Sequence, residues 1–327
     1  MSGFTMADLL PHHLRSLQAE VADLRASSRR GRYAPSPTGR LHLGNLRTAL
    51  LSWLITRLQG GEWLLRIDDL DTPRNRPGAE ASIQEDLRWL GLLWDGPVLR
   101  QSERRGLYAT VLSALRRSGQ LYPCRCSRRM LADVSAPHGR SGVYPGFCRS
   151  LTPRWGLEDE RLPSWRLRLE PGRLRWQEEL GPEGCLDGLQ EVGDVVLRRA
   201  DGFLAYHLAT AVDEWALGIA DVVRGLDLWP STGPQVAVLE RLGVEPPRYW
   251  HLPLWMDGQG QRLSKRDGGQ GLADWQAEGL GPNAVIGRLA ASLDLVPEGA
   301  ELSAQELLQQ YQLEPLRQRL IQPRAES

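Results

Sequence analysis

Lysine is nearly missing from this chain of 327 residues: Lys265 stands alone beside 39 arginines. Long apolar runs are missing too. No stretch approaches the roughly 20 residues that a membrane-spanning helix needs, and the N-terminus lacks the apolar core and small-residue cleavage site of a secretory leader. The expected location is therefore the cytoplasm, with no membrane partner. Four cysteines are too few for a secreted disulfide scaffold of this length, so their spacing points toward a metal instead. Net charge is also absent, with 40 basic and 40 acidic residues. Any surface for nucleic acid must then come from uneven distribution. There is no internal repeat and no extended low-complexity segment.

That uneven distribution is present. Between Arg100 and Arg175 there are 16 arginines and six acids, a basic excess that fits either a solvated face or a surface for RNA. With 41% hydrophobic and 24% charged residues the composition is that of an ordinary globular protein. Residues 1–30 form an extension in which Leu14, Leu17, Val21 and Leu24 recur at helical spacing. From Gly31 the pattern predicts a strand ending near Ala34, a turn with Pro35, Pro37 and Gly39, and a helix burying Leu46, Leu50, Trp53, Leu54 and Leu58. A buried strand at WLLRI (63–67) and a helix over 78–92 follow. Strand, helix, strand, helix is the order of a parallel α/β sheet. Residues 121–189 interrupt that order with proline, glycine and cysteine, as an insertion does. It resumes with strands near 194–197, 222–223 and 251–255, the last two joined by a helix with Ser231 or Thr232 as N-cap. The segment from 270 to 327 reads as short and helical.

Two separated motifs carry chemistry. HLGN (42–45) lies just before a helix, where free N–H groups and the helix dipole favour an anion. Gly44 permits close backbone approach, while His42 and Asn45 can donate to phosphate oxygens. The second is LSK, ending in the lone Lys265 of QRLSKRDGG (261–269). An ammonium on a flexible stem follows a phosphate as charge moves, which arginine's rigid fork does less well.

PSPTGRLHLGN followed by RLSKR resembles the two ATP signatures of class I aminoacyl-tRNA synthetases, and APSPTG is similar to the glutamyl branch. The resemblance runs through LLRIDDLD (64–71), LLWDG (92–96), GFLAYHLATAVDE (202–214), DVVRGLDL (221–228) and HLPL (251–254). It implies a Rossmann-like parallel-sheet catalytic domain of class I type over 31–120 and 190–269. It also implies roles. His42, Gly44, Asn45, Ser264 and Lys265 would hold ATP with its Mg2+, His42 and Lys265 acting on the departing pyrophosphate. Arg32, Ser36, Asp68, Tyr206 and Arg224 would bind L-glutamate, with Arg224 the candidate for its side-chain carboxylate. The family usually carries RIED where this chain has RIDD, so Asp68 offers the ammonium the same charge on a shorter stem. Asp68, Asp69 and Asp71 also allow a metal reading, which Arg66 and Arg74 oppose by neutralising the acids.

Within the insertion, Cys124, Cys126 and Cys148 supply three thiolates within 25 residues, suited to structural zinc. Chemistry alone leaves the fourth ligand open, with His138 the usual type. The family pattern of Cys-x-Cys followed by Tyr-x-x-x-Cys implies Tyr144. Cys185 lies outside this group and is expected to be a free thiol. Zinc inside the arginine-rich region makes 121–189 an expected RNA-contacting subdomain.

Only 62 residues follow Lys265, fewer than the anticodon-reading helical domains of a full glutamyl-tRNA synthetase require. That is similar to the glutamyl-queuosine tRNA(Asp) synthetases. The resemblance implies that a monomer activates glutamate and transfers it to queuosine in the tRNA(Asp) anticodon arm. Charging of a tRNA 3′ end, a small-molecule nucleotidyltransferase and a non-enzymatic RNA binder are the competing readings.

Overall fold

A computed structural model describes residues 12–127, 130–131, 143–158, 160–255 and 271–321. The first strand, β1 (Arg30–Tyr33), pairs in parallel with β2 (Glu62–Ile67), which in turn pairs with the two-residue β3 (Leu99–Arg100). Helix α1 (His12–Ser27) precedes them, α2 (Leu43–Leu58) links β1 to β2, and α3 (Ala79–Trp89) links β2 to β3. Helix α2 lies so close to β1 that a Cβ added at Gly31 would stand 1.9 Å from Thr56 Oγ1. Only glycine permits that approach.

After α4 (Arg105–Arg117) the chain enters the insertion, with β4 (Leu121–Cys124), β5 (Ser164–Leu167), the hairpin β6 (Arg173–Trp176) and β7 (Gly184–Asp187), and then β8 (Val195–Arg198). Strand β8 lies where the sequence places it but not in the parallel sheet. It pairs antiparallel with β5 in a three-stranded sheet ordered β4-β5-β8. The physical reason is topological: joining a parallel sheet requires a crossover, and none separates β7 from β8. Its burial alternates along VVLR, the mark of a strand with one covered face.

The parallel sheet resumes after α5 (Tyr206–Ala216) with β9 (Ile219–Gly225), α6 (Thr232–Arg241) and β10 (Arg248–Leu252). Its order is β10-β9-β1-β2-β3. The chain runs outward in both directions from the junction of β9 and β1, a topological switch point where ligands bind at the carboxyl ends of strands. Side chains alternate across the sheet. Trp63, Leu65, Ile67, Val223 and Trp250 join one core with α2, α3 and the C-terminal helices, while Leu64, Val222 and Tyr249 join a second with α1, α4, α5 and α6. Helices α7 (Leu272–Ala277), α8 (Pro282–Ala291), α9 (Ala304–Gln310) and α10 (Leu313–Ile321) follow, and Val285, Ile286, Leu289, Leu307 and Leu316 belong to the first core. The segment 177–179 extends the sheet beside β10: Tyr249 N donates to Gln177 O at 2.9 Å and Glu179 N to Tyr249 O at 2.8 Å. No helix among the described residues is long and apolar enough to cross a membrane.

Candidate functional site

At the carboxyl ends of β1, β2, β9 and β10 lies a cleft of about 1150 Å³. Arg32, Ser36, His42, Gly44, Asn45, Asp68, Tyr206 and Arg224, scattered over nearly 200 positions of sequence, all line it. Ser264 and Lys265 lie outside the described residues, as does His138. On the N-terminal side of these two residues the described chain ends at Trp255, which lines the cleft, and it resumes at Gly271, which forms an antiparallel bridge with His42.

His42 is the N-cap of α2, and its Nδ1 accepts a hydrogen bond from Asn45 N at 3.3 Å. An imidazole that accepts at Nδ1 carries its proton on Nε2 when neutral, so Nε2 is a donor. The first turn of α2 contains no acid to compete with an anion. A Cβ at Gly44 would lie 3.2 Å from the His42 ring. Glycine there leaves the imidazole its place, and the arrangement suits a phosphate.

Deeper in the cleft, charges are paired. Arg32 binds Glu214 at 2.8 Å, and buried Arg66 holds both oxygens of Asp68, at 2.6 and 3.0 Å. Asp213 accepts from Arg104 at 2.6 Å, Tyr108 at 2.8 Å and Gln101 at 3.2 Å. Three arginines thus face three acids in a closed network. Burial pushes the Asp68 carboxyl above its ordinary range and the Arg66 guanidinium opposes that rise. The metal reading of the aspartates fails on geometry. Asp69 accepts from Ser102 N and Oγ at 2.7 and 2.5 Å, and Asp71 pairs with Arg74 at 2.6 Å. Each acid turns to its own partner.

Arg224 differs from its neighbours. It is 4% exposed, and its partners are all uncharged acceptors: His251 Nε2 from Nε at 3.1 Å, Gln235 Oε1 from Nη1 at 2.8 Å and Thr232 Oγ1 from Nη2 at 2.7 Å. The guanidinium also rests over the Tyr249 ring at 4.9 Å. No carboxylate lies within ion-pair distance of it among the described residues. A guanidinium has five N–H donors, so one remains on each terminal nitrogen. A buried cation without a counter-ion is costly, and a ligand carboxylate would complete it. Thr232 was expected only as a helix cap. Ser231 takes the N-cap position without a side-chain capping bond, and the Thr232 hydroxyl is committed to Arg224 instead. His251, Gln235 and Glu178 were not foreseen as site residues. HLPL and the helix TGPQVAVLER contain two of them, but nothing in either marks an inward-facing acceptor. Tyr206, at the start of α5, is exposed and meets His207 edge to face at 5.6 Å.

In the insertion, Cys124, Cys126 and Cys148 bring their Sγ atoms within 4.8 Å of one another. The Tyr144 hydroxyl lies 3.4 Å from Cys124 Sγ and 3.7 Å from Cys126 Sγ. Tetrahedral zinc predicts S···S separations of about 3.8 Å and S···O of about 3.5 Å, and Cys126 to Cys148 is 3.6 Å. Three thiols at these separations fit the ion, and the Tyr144 hydroxyl lies beside two of them while accepting from Cys148 N at 2.9 Å. Burial raises the Cys126 thiol to about 12 and lifts the Tyr144 phenol as well. These ligands need a cation to ionise together. Cys185 stands apart as a free thiol.

Comparison with known proteins agrees with this geometry. The family model for the catalytic domain of class I tRNA synthetases (E and Q) matches residues 29–313. The glutamyl-Q tRNA(Asp) synthetase of Prochlorococcus marinus (strain MIT 9303) is 57% identical over 299 residues, covering 91% of this chain and 93% of that protein. Its counterpart in Nocardia farcinica is 48% identical over 273 residues, covering 82% and 85%. Among solved structures, a glutamate tRNA ligase from Elizabethkingia meningosepticum, crystallised with its amino acid, is 28% identical with a TM-score of 0.74, covering 88% of this chain. This chain spans 65% of that ligase, just under two thirds. The class I fold, the cleft motifs and these relatives place the chain in the glutamyl-Q tRNA(Asp) synthetase family, a branch of the class I synthetases for glutamate and glutamine.

Proposed function

We propose that this protein activates L-glutamate with ATP and transfers the glutamyl group to queuosine in the anticodon arm of tRNA(Asp). The observation that carries the amino-acid half is Arg224, a buried cation with two unspent donors and only neutral partners. A side-chain carboxylate satisfies it. An amide cannot, because its NH2 would face donors. Arg32, Ser36 and Tyr206 line the same cleft, and Asp68 supplies an anion toward the substrate ammonium.

In the first step a glutamate α-carboxylate oxygen attacks the α-phosphorus of ATP. The bond from that phosphorus to the bridging oxygen breaks, and pyrophosphate leaves. Mg2+ bound with the nucleotide would offset phosphate charge. The chain's own contribution is the start of α2, whose N–H groups, Gly44, Asn45 and the Nε2–H of His42 would receive phosphate oxygens, together with Ser264 and Lys265, to which the family resemblance gives a role on the triphosphate. In the second step a queuosine hydroxyl attacks the acyl carbon, AMP departs, and its phosphate takes the hydroxyl proton.

Catalysis would occupy 31–120 and the parallel-sheet segment that resumes with α5, and RNA contact the insertion, whose sheet includes β8 and so runs past the expected boundary at 189. Supporting the latter, Arg161 of the insertion and Arg105, Arg116 and Arg117 of α4, the helix that leads into it, are exposed and have no ion-pair partner among the described residues. Arg116 also stacks over Trp155 at 4.2 Å. Zinc held by Cys124, Cys126, Tyr144 and Cys148 would supply a structural cross-link. Glutamate-dependent exchange of labelled pyrophosphate into ATP tests the activation step. It should depend on glutamate and fail with glutamine or aspartate; exchange without glutamate would refute the proposal.

A further inference from the structure

What holds Arg224 in place is a residue of the insertion. The segment 177–179, lying beside β10, delivers Glu178 to His251. One Glu178 oxygen is 2.5 Å from His251 Nδ1, and the other accepts from His251 N at 3.2 Å. Both side chains are almost wholly buried. On the opposite side of the ring, His251 Nε2 lies 3.1 Å from Arg224 Nε and 3.2 Å from Thr232 Oγ1.

Arg224 Nε–H can only donate, so His251 Nε2 must be an acceptor. A neutral imidazole accepting at Nε2 carries its proton on Nδ1, where Glu178 receives it. Every bond in the chain then has one donor and one acceptor. The opposite tautomer would set Nε2–H against Nε–H and leave the Glu178 carboxylate facing a bare nitrogen lone pair. Tyr249, stacked on His251 with its ring planes 3° apart and lying under the Arg224 guanidinium, keeps the ring from turning.

We infer that Glu178 and His251 are positioning residues for amino-acid specificity: Glu178 fixes the His251 tautomer, and His251 fixes Arg224 so that the spare N–H on each terminal nitrogen is presented to the substrate's side-chain carboxylate. This rests on the glutamate reading above. It also assigns part of the amino-acid site to the inserted segment and not to the parallel strands that build the rest.

The test compares Glu178→Ala, Glu178→Gln and His251→Leu with the wild-type enzyme in pyrophosphate exchange. KM for glutamate, KM for ATP and the kcat/KM ratio of glutamate to glutamine are read for each. Loss of a hydrogen bond that orients a charged group predicts a rise of roughly 10- to 100-fold in KM for glutamate in Glu178→Ala and His251→Leu. The melting temperature should fall in both, since one strands a buried N–H and the other a buried carboxylate, but KM for ATP should barely move, and the ratio to glutamine should fall by a similar factor. Glu178→Gln, whose amide oxygen can still accept from Nδ1–H while its NH2 turns to the His251 N–H, should recover part of the loss. Equal rises in both KM values, an unchanged ratio to glutamine or no rescue by glutamine at 178 overturns the inference. Should the wild type show no glutamate-dependent exchange, the functional reading fails by itself. The 15N shifts of His251 then decide this inference separately: a proton on Nδ1 upholds the arrangement and one on Nε2 overturns it.

Discussion

Arg224→Met is the sharpest perturbation of the amino-acid site. Methionine fills much of the volume of the arginine stem, and no acid is stranded by the change, because Arg224 has only His251, Gln235 and Thr232 as hydrogen-bond partners. Folding stability should therefore change little, since the variant also removes a buried cation without a counter-ion. Binding should change greatly. Two charge-assisted hydrogen bonds to a carboxylate at about 1.5 to 3 kcal/mol each give a gross loss of about 3 to 6 kcal/mol. Relief of the uncompensated cation in the free enzyme trims this to about 3 to 5 kcal/mol, or roughly 150- to 5,000-fold in kcat/KM for glutamate. The assay is glutamate-dependent pyrophosphate exchange, with KM for ATP and the thermal midpoint as controls. Arg224→Lys should remain impaired, since one ammonium cannot reproduce the fork. A loss below tenfold in Arg224→Met, or an equal loss in ATP affinity, refutes the assignment.

Lys265→Ala should reduce adenylate formation by at least roughly 100-fold, as loss of transition-state charge stabilisation does, while calorimetry finds glutamate affinity unchanged. Purified protein should contain one zinc by elemental analysis. Cys126→Ser should lose the metal, and Tyr144→Phe should keep it more weakly; in both, transfer to RNA should fall further than pyrophosphate exchange. Acid should destabilise the fold through His207, whose pKa burial lowers to about 4, with the Arg224 charge contributing. A lowered folded-state pKa means the neutral ring is favoured: the stability is fully present above the unfolded value of about 6.5 and is lost as pH falls toward 4. Between pH 7 and 5 that is at most about 2 kcal/mol, read by urea denaturation, and His207→Gln should flatten the dependence by that amount.

Much of the site was legible because its signals are local. HLGN reads as an anion-binding helix start because capping, glycine and the helix dipole act within four residues, and the cysteines declare themselves by spacing. What escaped depends on distant partners. VVLR shows a strand but not which sheet receives it, and the two residues of β3 are too few to make a period. Arg66 and Arg74 were weighed against the aspartates, yet only the fold shows Asp69 turning to Ser102. Glu178 and Arg224 are separated by the rest of the insertion and by α5. No sequence pattern joins a carboxylate to a guanidinium through an imidazole on a third strand.

The most direct test of the central claim is transfer of labelled glutamate to two tRNA preparations, one from cells that make queuosine and one from cells that cannot. Label confined to the queuosine-containing tRNA, and lost on periodate treatment that cleaves the cyclopentene diol beforehand, is the predicted result. Equal labelling of both preparations would contradict it and make the tRNA 3′ end the acceptor.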